Sequence, residues 1–221
     1  MKGRLILIHT VPPLLSVFDK LGAELLPGVQ LMHVLDEPLL ERVRQRGHLA
    51  PEDGQQLGSH VALAEQIGAQ AVLVTCSTIS PCVDDVRAKA RLPVMKIDEA
   101  MIAKAVALGS NIGVVATAPT TLEPTRQLLQ ARADLAKKTI QIELVLVENA
   151  LPALLDGDGD RHDQLVKQAV LELARRTDVI VLAQASMARV LEAIPEAERP
   201  VTILSSPQLA LTAVKNLIIG V

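Results

Sequence analysis

The stretch Leu5-Ile6-Leu7-Ile8-His9-Thr10-Val11-Pro12 is an apolar run of strand length that stops at polar residues and a proline. Its echo, Ile112-Gly113-Val114-Val115-Ala116-Thr117-Ala118-Pro119, follows at an offset of 107 residues. The echo is not isolated. Val34-Leu35-Asp36-Glu37 is answered by Val145-Leu146-Val147-Glu148-Asn149. Val74-Thr75-Cys76-Ser77-Thr78 is answered at offset 108 by Leu182-Ala183-Gln184-Ala185-Ser186. The runs ending at Ile97 and Leu204 each lead into a helical pattern. Four strand-to-helix junctions thus recur in order, the signature of a duplicated unit of about half the chain.

Working outward, short runs rich in Leu, Ile and Val lie at 4–9, 29–35, 71–75, 94–97, 112–116, 140–147, 179–182 and 201–204. They are apolar throughout rather than alternating, which predicts strands covered on both faces. Helical spacing lies between them, at 58–67, 99–108, 121–136, 163–175 and 207–217. Steady alternation of strand and helix predicts an α/β protein with parallel sheets. The expected architecture is two similar pseudo-symmetric lobes, each a four-stranded parallel sheet flanked by helices. The boundary falls between residues 1–108 and 109–221, with the C-terminal helix able to pack back on the first lobe. Ligands of such sheets sit beyond the carboxyl ends of the strands, so the active site is expected in the cleft between the lobes.

Composition narrows the function. The 221 residues carry 22 basic and 25 acidic side chains, a net charge of −3, and 49% are apolar. That suffices for a sizeable core and gives no electrostatic case for nucleic acid or an anionic membrane surface. Phe18 is the sole aromatic residue, so no base-stacking surface is expected. No stretch reaches the roughly 18 apolar residues of a membrane span. The basic start is followed by too short an apolar run for a signal peptide, and Cys76 and Cys82 cannot make a disulfide framework. The expected setting is a reducing, cytoplasmic one.

Cys76 is the principal candidate for chemistry. It sits where a strand ends, among the hydroxyls of Thr75, Ser77 and Thr78, and a helix is expected after Pro81. Backbone N–H groups and a helix N-terminus there favour an anion and lower a thiol pKa, giving a base or nucleophile. The competing reading is a small buried apolar cysteine, which is also the reading for Cys82. Thr10, Ser77, Thr78, Thr117, Thr120 and Thr121 supply neutral donors able to cradle a carboxylate or an enediolate, or else cap helices. His9, at a strand end, is either a cleft residue or a satisfied core histidine. Asp156-Gly157-Asp158-Gly159-Asp160 opens like a calcium loop, but Arg161 and Lys167 occupy positions that need Gly and Glu, so it reads as a solvated loop capping the next helix. The histidine spacing supports no metal site, and nucleotide and serine-hydrolase signatures are lacking. Pro51-Glu52-Asp53-Gly54 reads as a turn and 42–46 as a solvated helix face. No basic residue lies at the junction motifs; Arg126 and Arg189 stand on the helices that follow.

With these junctions in place, the chain resembles the aspartate/glutamate/hydantoin racemase superfamily, which includes arylmalonate decarboxylases and maleate isomerases. The resemblance runs through Ile8–Pro12, Val72–Thr78, Ile97–Ala100, Ile112–Thr121 and Val181–Ala188. It implies a cofactor-independent enzyme acting at the carbon next to a carboxylate of a small acid or amino-acid derivative. Racemases of this kind are similar in using one cysteine per lobe on opposite faces of that carbon. Cys76 matches the first. Gln184, in Leu182-Ala183-Gln184-Ala185-Ser186-Met187, stands where the second belongs, and an amide transfers no proton near neutral pH. Three mechanisms follow: Cys76 with Ser186, His9, or a water as partner in racemisation or epimerisation; Cys76 adding to an unsaturated diacid, as in the maleate isomerases; or Cys76 protonating an enediolate after loss of carbon dioxide. The arylmalonate decarboxylases resemble the last with one cysteine, but theirs lies in the second lobe. A small-carboxylate binding module without catalysis is the alternative of another class. Family members resemble one another in forming homo-oligomers, and the apolar end Leu217-Ile218-Ile219-Gly220-Val221 suits either core or a homodimer interface.

Overall fold

The computed structural model describes residues 3–220. The chain forms two compact units, one comprising residues up to Ile97 together with the chain from Pro207, the other Asp98–Ser206. The helix Glu99–Leu108 therefore counts with the second unit and the terminal helix with the first.

In the first unit, β1 (Arg4–His9), β2 (Gln30–Leu35), β3 (Ala71–Val74) and β4 (Val94–Lys96) form one sheet in the order β2-β1-β3-β4. All neighbours are parallel, and Ile8 pairs with Val34 on one side and Val74 on the other. The crossovers carry α1 (Pro13–Leu25), α2 (Glu37–Arg46), α3 (Pro51–Gln66) and α4 (Cys82–Arg87). The second unit begins with α5 (Glu99–Leu108) and repeats the plan. Its strands β5 (Asn111–Ala116), β6 (Gln141–Leu146), β7 (Val179–Leu182) and β8 (Thr202–Ser205) pair in the order β6-β5-β7-β8, again all parallel. Its connections hold α6 (Pro119–Leu135), α7 (Ala150–Leu155), α8 (Gly159–Leu173) and α9 (Ala188–Glu192), and α10 (Ser206–Ile219) ends the chain.

The eight strands lie where the apolar runs predict them. The central strands are fully buried, as Leu5–Ile8, Ala71–Val74 and Val179–Leu182 show. The edge strands β2 and β6 are not: Met32 and Leu144 are exposed. Cover on both faces is thus corrected for these two, whereas the opposite edges β4 and β8 stay largely buried. Each sheet buries a helical stripe at i, i+4 spacing. Leu57, Val61 and Ala64 of α3 pack in one cluster with Ile6, Ile8, Val72 and Val74. Val166, Val170 and Leu173 of α8 pack in another with Val115, Ile180 and Leu182.

Two local expectations are corrected. Pro51–Gly54 is the first turn of α3 rather than a loop turn. Proline is preset for that first position, and the Asp53 carboxylate accepts the Ala50 N–H at 2.8 Å. Residues 42–46 are helical but not a purely solvated face. Val43 is buried, Arg42 donates to Gln56, and Arg46 pairs with Glu52 and Asp53, so the segment ties α2 to α3. The Asp156–Asp160 loop caps its helix as expected, with Asp158 accepting the Arg161 N–H at 3.0 Å.

Candidate active-site junctions

In the first unit the loop after β3 brings Cys76, Ser77 and Thr78 beside the end of β1, which carries His9 and Thr10. Thr75 closes this junction. Its N–H donates to the Ile8 carbonyl at 2.9 Å, and its hydroxyl lies 3.0 Å from the same oxygen and 2.8 Å from His9 Nδ1. Cys76 is half-buried and free of any disulfide. Burial pushes its thiol up; the hydroxyl of Thr10, the N–H groups of Ile79 and Thr78, and the hydroxyl of Thr78 all donate to Sγ and pull the other way. The expected donors are present, but the net direction is upward, so the expected lowering of this thiol is corrected. Short α4 begins only at Cys82, six residues on, too far to act on Cys76 as a helix N-terminus. Cys82 itself is pushed up to about 11 by burial and by Asp53 and Asp85.

His9 is fully buried against Phe18, with ring centroids 5.5 Å apart, and its Nε2 lies 2.9 Å from Nδ1 of His33 on β2. Burial and the neighbouring His33 lower His9 to about 4, against a small opposing pull from Asp19. It is therefore a neutral, satisfied imidazole at physiological pH.

In the second unit, Thr117, Thr120 and Thr121 occupy the end of β5 and the first turn of α6, and Gln184 and Ser186 follow β7. Gln184 does not sit idle. Its side-chain oxygen accepts the N–H and the hydroxyl of Thr117, at 2.5 and 3.1 Å, and the N–H of Ala118 at 3.3 Å. Of the donors expected to cradle a carboxylate, Thr117 is thus turned onto an internal amide oxygen. Thr121 is buried, Thr120 and Ser186 are half-buried.

Arg126 pairs with Glu123 on the exposed face of α6, and Arg189 pairs with Asp163. Lys96, one residue before the fourth junction, is a buried cation whose Nζ lies 2.7 Å from Asp84 Oδ2. The sequence reading also missed the partners of His9. A histidine and nothing else polar inside the otherwise apolar β2 core, Leu31-Met32-His33-Val34-Leu35, was the available signal. Among the described residues, no group of three or more His, Cys, Asp or Glu side chains is placed to hold a metal, and no helix is long and apolar enough to cross a membrane.

The model of the Asp/Glu/Hydantoin racemase family matches residues 16–214. The chain belongs to that family. Solved structures of the family's fold agree at low sequence identity. Allantoin racemase from Klebsiella pneumoniae is 17% identical, covers 98% of this chain and 88% of its own, and superposes with a TM-score of 0.70. The glutamate racemase isoform RacE1 from Bacillus anthracis gives 18% identity, 100% and 83% coverage and a TM-score of 0.73. An arylmalonate decarboxylase gives 20%, 99% and 94%, and 0.64. No curated protein matches the sequence. At these identities the likeness is one of fold, and the family membership rests on the matched model.

Proposed function

We propose that this racemase-family chain is a cofactor-independent enzyme that moves a proton at the carbon next to a carboxylate of a small acid or amino-acid derivative, with Cys76 as the working thiol. The convergence of the Thr10 and Thr78 hydroxyls and the Thr78 and Ile79 N–H groups on Cys76 Sγ carries this reading. A merely structural cysteine needs no donors, because a thiol is a weak acceptor and packs as a small apolar group. Donors of this kind stabilise a thiolate once its proton has left. Burial keeps the resting group protonated, so for α-proton exchange Cys76 first gives its proton to solvent and then, as the thiolate these donors hold, takes the proton from the α-carbon and returns one to it. Ser77 and Thr78 flank the thiol as carboxylate donors. The Thr117 junction, with Thr120 and Thr121, is a second cradle, from which Gln184 must withdraw its oxygen before an anion enters.

A second reading keeps the same thiol. Cys76 protonates the enediolate left when a substituted malonate loses carbon dioxide, forming the C–H bond from the thiol proton. The protonated resting thiol and the single-cysteine arrangement favour it.

The test is proton NMR in heavy water with aspartate, glutamate, a 5-substituted hydantoin, maleate and a substituted malonate. Exchange of an α-proton with retained configuration fits one thiol; loss of carbon dioxide selects the second reading. Cys76→Ser lowers either by about 10²–10⁴-fold. Turnover by Cys76→Ser at the wild-type rate overturns both, and ligand binding by Cys76→Ala with no turnover by the wild type replaces them with a binding module.

A further inference from the structure

Four side chains of the first unit form an unbroken polar chain that the proposed reaction does not use. Thr75 Oγ1 lies 2.8 Å from His9 Nδ1, His9 Nε2 lies 2.9 Å from His33 Nδ1, and His33 Nε2 lies 3.1 Å from Asp19 Oδ1. The chain runs from a fully buried end to an exposed one: His9 is fully buried, the His33 side chain is 17% exposed and that of Asp19 is 67% exposed. The second unit has no such chain at the same places. In the matching register its residues are Ala116 for His9, Leu144 for His33 and Ala183 for Thr75. The fold therefore does not require it, and burying the His9 imidazole where alanine suffices costs desolvation. The polar version stands beside the thiol.

Proton counting gives the chain two fully satisfied states. In the first, the Thr75 hydroxyl donates to His9 Nδ1, His9 Nε2–H donates to His33 Nδ1, and His33 Nε2–H donates to Asp19; both imidazoles are neutral. Adding one proton to His33 makes both its nitrogens donors. His9 Nε2 must then accept, its own proton must sit on Nδ1 and point at Thr75, and the Thr75 hydroxyl must turn to the Ile8 carbonyl 3.0 Å away. One proton at the exposed end thus reverses both hydrogen bonds between His33 and Thr75 while the bond to Asp19 keeps its direction.

We propose that Asp19, His33, His9 and Thr75 are positioning residues that form a reversible hydrogen-bond chain, set by one proton at His33, which orients the ends of β1 and β3 where Thr10 meets Cys76. The proposal rests on the reading of Cys76 as the working thiol for its consequence, not for its test. His9 cannot hold the proton itself, since burial keeps it neutral down to about pH 4. The other charged groups on the packed elements stand apart from the chain: Arg4 of β1 bonds Gln30 and the Ile67 carbonyl, and Lys20 and Glu24 of α1 are exposed. The strand β3 carries no titratable side chain, and Cys76 lies in the loop that follows it.

The experiment is nitrogen-15 NMR of the imidazoles between about pH 5 and 9, paired with iodoacetamide labelling of Cys76 read by peptide mass spectrometry over the same range. On acidification His9 stays neutral and its proton moves from Nε2 to Nδ1. The Cys76 labelling profile shows an inflection at the same pH, separate from the thiol's own ionisation. Asp19→Asn, at an exposed position, moves the tautomer change and that inflection together to lower pH. A His9 that keeps one tautomer throughout, or an Asp19→Asn labelling profile superimposable on the wild type, overturns the proposal. Neither readout needs turnover, so an inactive protein with an intact tautomer switch counts against the catalytic reading alone.

Discussion

The ends of β3 and β7 are the same place built twice, and they hold opposite chemistry. After β3, a threonine at the end of β1, Thr10, donates to the sulfur of Cys76. After β7, the matching threonine at the end of β5, Thr117, donates to the amide oxygen of Gln184. The donors are retained and the acceptor is exchanged. A thiol can part with a proton in the range where proteins work, whereas a carboxamide cannot. The duplication therefore supplies two nests and one acid. The donor nest belongs to the fold of the junction, while acidity depends on the single side chain placed in it.

The sharpest way to break this asymmetry is to remove each acceptor in turn. Cys76→Ser should lower turnover by about 10²–10⁴-fold, the usual contribution of a positioned acid or base. Gln184→Ala should leave turnover within about tenfold, with any change mainly in KM, because an interaction made equally in ground and transition state alters binding alone. Steady-state kinetics on the substrate found in the heavy-water screen decides; equal losses for the two variants would mean that the second nest is catalytic after all. Gln184→Cys sharpens the comparison further. It places a second thiol in the second nest, and product formed in heavy water should then carry deuterium in both configurations.

Next in size is a stability difference between the two units' buried and exposed helix caps. Asp36 caps α2 from a buried site, accepting the Leu39 N–H at 3.0 Å and bonding His60 at 2.7 Å, with Gln56 as a third donor. Asp158 caps α8 with the Arg161 N–H from an exposed one. Asp36→Ala should cost about 2 kcal/mol and Asp158→Ala about 1 kcal/mol or less, read from urea midpoints. Burial pushes the Asp36 carboxyl up, but its bonds to His60, Leu39 and Gln56 outweigh that and leave it below its ordinary value. A depressed carboxyl stabilises the fold fully above its unfolded pKa and loses that contribution as pH falls through the folded one. The gap between wild type and Asp36→Ala should therefore be constant near neutrality and shrink below about pH 4. A gap that widens on acidification would reverse the sign.

How much of this was legible in the sequence differs between backbone and site. The eight strands and the duplicated plan follow from apolar runs bounded by polar junctions, a local signal. The start of α3 did not, because Pro51 and Gly54 resemble a turn until Asp53 is seen to reach back to Ala50. Cys76 stood out as the thiol, but the direction of its pKa did not, since burial depends on chain segments distant in sequence. Gln184 was legible as a missing acid and not as the occupant of the Thr117 nest, a contact across 67 residues. The partners of His9 were hidden for the same reason: Asp19, His33 and Thr75 come from a helix and two strands that only the sheet order brings together.

The smallest effect tests whether the two nests are equivalent donors. Thr10→Val keeps the shape of a buried side chain and deletes one hydroxyl. Of the groups that pull the Cys76 thiol down, that hydroxyl is the strongest. A hydrogen bond to a charged group contributes about 1.5 kcal/mol, which corresponds to roughly one pKa unit. Removing it should push the already raised thiol further up, and labelling of Cys76 by iodoacetamide at a fixed pH below that range should slow about tenfold, in proportion to the lost thiolate. Thr117→Val deletes the equivalent hydroxyl in the other unit, where it serves Gln184 and no thiol, and should leave Cys76 labelling unchanged. Equal slowing by both variants would show that the Cys76 thiol responds to the second junction as well as its own. No slowing by either would show that burial and the backbone donors of Thr78 and Ile79 alone govern the thiol, and would reduce Thr10 to a packing residue.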